Sequence, residues 1–257
     1  MLKYKTVQRF VWGLLLGLSA SAICSAAAVA DSLPAPRRHA FVASDRTRLM
    51  ADIYAAPGEK AHPCVILVHQ LGRTNADMKP LVAPLVAEGF TVVNLDMRGH
   101  GASQSRLTGG NFPYTKFTNA DWQQLPFDLR VVLKNMVTVP NIDVQKFALV
   151  GASIGANASI IQARLASNVE AVVMLSPGVD FHGLKPAESM AGYHKPVLLV
   201  AAKDDTYSAE SATQLSKMNK KSSLDILPQG GHGSQMFAAH PELAKQIATW
   251  LHKAMSK

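Results

Sequence analysis

Short apolar runs recur along this chain at 39–43, 49–55, 64–69, 91–95, 147–150, 171–175, 197–201 and 223–227, and several are continuous rather than alternating. A strand that is apolar at every position has no face to offer water, so it belongs in a sheet covered on both sides. Between the runs lie helical stripes: Met78, Leu81, Val82, Leu85 and Val86; then Leu125, Leu129, Val132, Leu133 and Met136; and finally Phe237, Leu243, Ile247, Trp250 and Leu251. Each is a face built for core packing. This alternation specifies an α/β fold, a mostly parallel sheet of about eight strands with helices on both faces. Pro84 is expected to kink the first of those helices. No helical pattern separates the first two runs, so an antiparallel hairpin should open the sheet. Residues 102–120, rich in Gly, Ser, Thr and Asn, read as a long surface loop bordering any site on the sheet. Only about twenty residues join the runs at 171–175 and 197–201, too few for a large helical lid.

The N-terminus has a different character. Lys3, Lys5 and Arg9 precede an apolar stretch at 11–23, and the small-residue segment Ala26-Ala27-Ala28-Val29-Ala30 follows. A basic region, an apolar region and an A-x-A site make a secretory signal, predicting cleavage after Ala30 and a single domain over 31–257. The uninterrupted apolar stretch is short for a transmembrane span of ~20 residues. Ile23 before Cys24 does not suit a lipoprotein signal, so no stable membrane anchor is expected after cleavage. The expected location is periplasmic or secreted. The mature chain would keep Cys64 alone, so no internal disulfide can form, and its place inside an apolar strand marks it as buried and inert. Removing 1–30 takes three of the 26 Lys and Arg and none of the 18 acids, a formal charge of +5. The basic residues are scattered, without interleaved aromatics, which argues against a nucleic-acid partner.

The run at 147–150 leads directly into Gly151-Ala152-Ser153-Ile154-Gly155, a G-x-S-x-G pattern. A strand-to-helix turn this tight leaves almost no room for a Cβ beside the serine, and it lifts the serine out as a nucleophile. In open α/β sheets functional groups collect beyond the carboxyl ends of the strands. After the run at 197–201 come Asp204 and Asp205, and after that at 223–227 comes Gly230-Gly231-His232-Gly233. The order Ser153, Asp205, His232 matches a nucleophile–acid–base triad, with Asp204 the alternative acid. A serine hydroxyl needs a base during attack, and the base needs an acid to fix its tautomer. Of nine histidines, His232 alone combines a glycine-flanked loop with the right place in that order.

Two backbone N–H groups must face the developing oxyanion. Ile154, directly after the serine, supplies one; Leu71 in His69-Gln70-Leu71-Gly72 supplies the other, with Gln70 as alternative. Asp96 and Arg98, in the glycine-rich stretch 96–103, read as a stabilising polar network rather than as catalytic groups. No H-E-x-x-H, cysteine pair, Walker A loop or G-x-G-x-x-G occurs, so neither a metal nor a nucleotide cofactor is indicated.

Together Val68-His69-Gln70-Leu71-Gly72, Asp96-Met97-Arg98-Gly99-His100-Gly101, Gly151-Ala152-Ser153-Ile154-Gly155-Ala156, Lys203-Asp204-Asp205 and Gly231-His232-Gly233 resemble the α/β-hydrolase superfamily over nearly the whole mature chain. The likeness is greatest to compact, lidless members such as dienelactone-hydrolase-like proteins and small bacterial esterases. It implies a cofactor-free serine hydrolase that cleaves esters of small molecules through an acyl-enzyme, a carboxylesterase. Thioesterase, peptidase and a non-catalytic binding protein of the same fold are the alternatives. The chain departs from the pattern in carrying Gln70 where a glycine commonly follows the histidine. It also carries Ser153 where dienelactone hydrolases proper use cysteine.

Overall fold

The computed structural model describes residues 33–256; the expected signal at 1–30 lies outside them. The strands are β1 (Arg37–Val42), β2 (Arg48–Tyr54), β3 (His62–Val68), β4 (Thr91–Leu95), β5 (Ile142–Ala152), β6 (Val169–Leu175), β7 (Val197–Ala202) and β8 (Ser222–Leu227). They form one sheet of eight in the order β1-β2-β4-β3-β5-β6-β7-β8. β2 runs antiparallel to both of its neighbours, giving the opening hairpin, while β4 to β8 and β3 are mutually parallel. Every residue of β4 is buried, and β3 and β6 are buried at all but one position each, as strands covered on both faces must be.

The helices are α1 (Val82–Ala87), α2 (Asn119–Trp122), α3 (Leu125–Asn135), α4 (Ile154–Arg164), α5 (Ala187–Gly192), α6 (Thr206–Ser216), α7 (Met236–Ala239) and α8 (Leu243–Met255). Two apolar layers sandwich the sheet. One joins Phe147, Leu149, Val172 and Leu199 to α3, α4 and α6; the other joins Ala148, Val150, Val173 and Val200 to α1 and α8. Neighbouring residues of one strand alternate between the two layers, the period-2 rule of the pleat.

Pro84 does not kink a helix. The stripe from Met78 to Val86 is divided into a 3-10 turn, Asn75–Leu81, and the separate helix α1. Pro84 occupies the first turn of α1, where its missing N–H would have had no intrahelical partner. Thr74 caps the 3-10 turn, its hydroxyl accepting from the Ala76 N–H while the Asp77 carboxylate accepts from the Thr74 N–H. Cys64 is fully buried, and burial pushes its thiol far above the ordinary range, as an inert core cysteine requires.

The order β4-β3-β5 positions the site. The chain leaves β3 to build outward through β4, then returns to β3's other side with β5 and continues to β8. The crevice of such a sheet opens at that reversal, beyond the carboxyl ends of β3 and β5. Gln70 and Leu71 follow β3 there, and Ser153 follows β5.

Candidate active site

Ser153 joins β5 to α4 with φ 55° and ψ −122°, a conformation an L-residue adopts only when its surroundings enforce it. The enforcement is visible on both sides. A Cβ on Gly151 would lie 2.3 Å from the Gly155 carbonyl oxygen, and one on Gly155 would lie 2.5 Å from that of His69. Strand, helix and the β3 loop therefore meet at backbone distance. The Ser153 N–H donates to the Leu175 carbonyl at 2.8 Å, which ties the turn to the end of β6.

Asp205 and His232 lie at the ends of β7 and β8, and the His232 Nδ1–H donates to Asp205 Oδ2 at 2.7 Å. A carboxylate only accepts, so the proton sits on Nδ1 and Nε2 is left as the basic nitrogen. Asp204 does something different. Its carboxylate accepts from the N–H groups of Gly230 at 3.1 Å and Gly231 at 3.1 Å. These bonds hold its carboxyl below the usual carboxylate range.

The histidine loop is held by side chains from three strand ends. Asp204 after β7 takes the Gly230 and Gly231 N–H groups, and Ser176 Oγ after β6 takes that of Gly233 at 2.8 Å. Gln70 Oε1 after β3 takes that of Ser234 at 2.8 Å, while Gln235 Oε1 caps the His232 N–H within the loop. Each loop N–H from Gly230 to Ser234 thus has a partner, which fixes backbone that no sheet ladder supports.

The β3 loop is braced by two buried histidines. His69 Nδ1–H donates to the Gln70 carbonyl at 2.8 Å, and Nε2 accepts from the Met97 N–H at 3.0 Å. His100 Nδ1–H donates to the Arg98 carbonyl, and Nε2 accepts from the Gly72 N–H at 3.1 Å. Both rings must be neutral to accept in this way. Burial pushes His69 down to about 3 and lowers His100 as well. Below about pH 6.5 the unfolded chain therefore takes up protons that these folded rings refuse, so stability falls as pH drops. From pH 6.5 to pH 5 His69 alone accounts for about 1.6 kcal/mol, the slope approaching about 1.36 kcal/mol per pH unit as the unfolded ring becomes fully protonated. Urea denaturation at the two pH values measures the loss, and the slope should flatten in His69→Gln.

Asp96 and Arg98 form the polar network expected of them. Asp96 accepts from the N–H groups of Asn75 at 2.8 Å and Ala102 at 2.9 Å. Arg98, 1% exposed, makes a bidentate ion pair with buried Asp128 and reaches Asp45 at 3.0 Å.

Gln70, Leu71, Ser153, Ile154, Phe181, His182 and His232 line one cavity of about 280 Å³. Ser153, His232, Leu71 and Ile154 thus share a wall, with Asp205 behind His232. The loop at 102–120 does not line this cavity, contrary to expectation. Its Tyr114 stacks on His100 at 4.2 Å and its Phe117 packs on Trp122, so it supports the site from behind. Phe181 and His182, from the β6–β7 connection, take the rim instead. Phe181 meets the His232 ring edge-on at 6.3 Å, and His182 stacks on Trp122 at 4.5 Å. The sequence signal for them was Asp180-Phe181-His182-Gly183, a turn closed by the Asp180 carboxylate accepting from the Gly183 N–H at 2.7 Å.

A parallel sheet with an antiparallel opening hairpin and a strained serine turn at its switch point defines an α/β-hydrolase. The chain belongs to the family described as serine aminopeptidase, S33, whose model matches residues 59–224. Among solved structures, an esterase of Pyrococcus furiosus is similar with 18% identity and a TM-score of 0.70, over 86% of this chain and 91% of that one. The dienelactone hydrolase of Anabaena variabilis is similar at 18% identity and TM-score 0.67, over 86% and 97%. Est1E of Butyrivibrio proteoclasticus, solved with ferulic acid bound, is similar at 18% and 0.69, over 84% and 99%. At these identities the likeness is one of fold. No curated protein matches the chain.

Proposed function

We propose that this protein is a serine carboxylesterase acting on small or medium acyl esters. The observation that carries the reading is the strained Ser153 turn opening onto the same cavity as His232, whose Nδ1 is bonded to Asp205. Ser153 Oγ attacks the ester carbonyl while His232 Nε2 takes its proton. The N–H groups of Leu71 and Ile154 stabilise the oxyanion, and Ile154 as first residue of α4 has a donor that no helical carbonyl claims. His232 then returns the proton to the departing alkoxide, leaving an acyl-enzyme. Water, deprotonated by His232, adds to that acyl group; the bond from the acyl carbon to Ser153 Oγ then breaks, His232 returns the proton to Oγ, and the carboxylic acid is released.

The family description favours a second reading, cleavage of a peptide from its amino end. That reaction needs a carboxylate to receive the substrate's ammonium group. The cavity wall offers Leu71, Ile154 and Phe181, the Ser153 hydroxyl and two imidazoles, and the amide of the adjoining Gln70 is bonded to the histidine loop. The nearby Asp205 is engaged by His232 and Asp180 by Lys185. A neutral acyl group suits that lining better. A cavity of about 280 Å³ also suits a short chain. A hydrolysis screen over p-nitrophenyl esters of graded length, acyl thioesters and aminoacyl p-nitroanilides decides. The expected result is turnover of acetate to hexanoate esters; activity confined to anilides or thioesters contradicts the esterase reading.

The signal-like segment at 1–30 supports export, with a mature chain beginning at Asp31. Intact-mass measurement of protein recovered from the exported fraction should give the chain from Asp31; an uncleaved mass contradicts it.

A further inference from the structure

The Gln70 side chain spans two loops that sequence distance separates by more than 160 residues. Its backbone belongs to the β3 loop, where the Gln70 carbonyl accepts from His69 Nδ1–H and from the Arg73 N–H at 3.2 Å, closing a turn with Leu71 at its tip. Its amide belongs, by contact, to the histidine loop. Oε1 accepts from the Ser234 N–H at 2.8 Å, and Nε2 donates to the His232 carbonyl at 3.3 Å. The amide therefore grips the backbone on both sides of residue 233. That residue is a glycine at φ 61°, and a Cβ there would lie 2.2 Å from Gln70 Oε1. Gln70 is 6% exposed, and both partners of its amide are backbone groups of the histidine loop.

We propose that Gln70 is a positioning residue that holds the His232 backbone in fixed register with the oxyanion-donating turn at Leu71. This rests on the assignment of His232 as base and Leu71 as donor. The His232 ring is tethered at Nδ1 alone, so the place of its Nε2 follows its backbone. Proton transfer and oxyanion stabilisation must coincide in one transition state, and the base and the oxyanion donor sit on loops with no sheet ladder between them. Asp204 and Ser176 also hold the histidine loop, but from β7 and β6, and neither reaches the β3 loop. Gln70 is the link that joins base to oxyanion site.

Two near-isosteric variants in the full chain separate positioning from space-filling. Gln70→Met keeps the volume and loses both bonds. Gln70→Glu keeps an acceptor for Ser234 and loses the donor to His232. With a p-nitrophenyl ester, kcat should fall about 10–100-fold in Gln70→Met and about 3–10-fold in Gln70→Glu, because misplacement by about 1 Å costs on the order of 100-fold. KM should stay within about twofold, since the bound substrate touches neither lost bond. Equal losses in the two variants, or a loss carried by KM alone, overturn the proposal. So does an unchanged kcat in a folded Gln70→Glu, whether or not Gln70→Met folds. A wild-type protein without esterase activity contradicts the underlying reading instead of the role of Gln70.

Discussion

Replacement of Ser153 by alanine is expected to lower kcat by about 10⁶-fold, the scale of losing a nucleophile from a triad that acts as a unit. The loss should leave substrate binding nearly intact, because Leu71, Ile154 and Phe181 still form the cavity wall. It should also leave the fold in place: the Ser153 turn is enforced by the glycine contacts around it, and the hydroxyl is not among its supports. Asp205→Asn should cost about 10⁴-fold, since an amide can hold the imidazole in the wrong tautomer. Asp204→Asn should cost far less, because Asp204 touches only the loop amides. Steady-state kinetics of the three variants on one ester give the ranking. Equal losses at Asp204 and Asp205 would contradict the division of labour between them.

The largest effect on stability is expected at Asp128. Removing its carboxylate in Asp128→Ala strands the Arg98 guanidinium, 1% exposed, with Asp45 as its remaining acid. An uncompensated buried charge costs about 3–5 kcal/mol. In a domain of this size that lowers Tm by about 6–20 °C. The pair itself is worth much less, because desolvation offsets most of its attraction. The double variant Arg98→Met/Asp128→Leu should therefore recover most of the stability that Asp128→Ala loses. Guanidinium denaturation of the single and double variants forms the test. A single variant within about 1 kcal/mol of wild type would show that Arg98 finds water or another acid.

Much of this molecule was legible because its physics is local. All eight strands are legible in composition, most plainly β3, β4 and β6, which are buried almost throughout, while β1 and β8 at the sheet edges are largely exposed. β5 is the instructive exception: it begins at Ile142, ahead of the apolar run, because Asp143, Gln145 and Lys146 extend the strand with side chains that escape burial. Helix continuity breaks ahead of Pro84, where a proline that reads as internal lies in the first turn of a new helix. Ser153, Asp205 and His232 are candidates from the G-x-S-x-G pattern, the glycine-flanked loop and chain order together; between Asp204 and Asp205, the structure bonds His232 to Asp205.

What pattern could not show was anything carried by one side chain across the fold. Gln70 looked like a departure beside the oxyanion loop, and nothing in its neighbours announces a bond to Ser234. Phe181 and His182 sit in a connection without periodicity, and their place at the rim depends on Tyr207 and Trp122, 26 and 60 positions away in the chain. Length and composition place the loop at 102–120 at the rim, but no residue of it lines the cavity. Its aromatic residues pack inward on His100 and Trp122, which keeps it behind the site.

A fluorophosphonate probe tests directly, and without knowledge of the substrate, whether Ser153 is a nucleophile activated by His232. Intact-mass and peptide mass spectrometry should find one adduct on wild type, at Ser153, absent from Ser153→Ala and formed far more slowly in His232→Ala. A wild type that stays unlabelled, or a Ser153→Ala variant labelled as fast as wild type, would contradict the account.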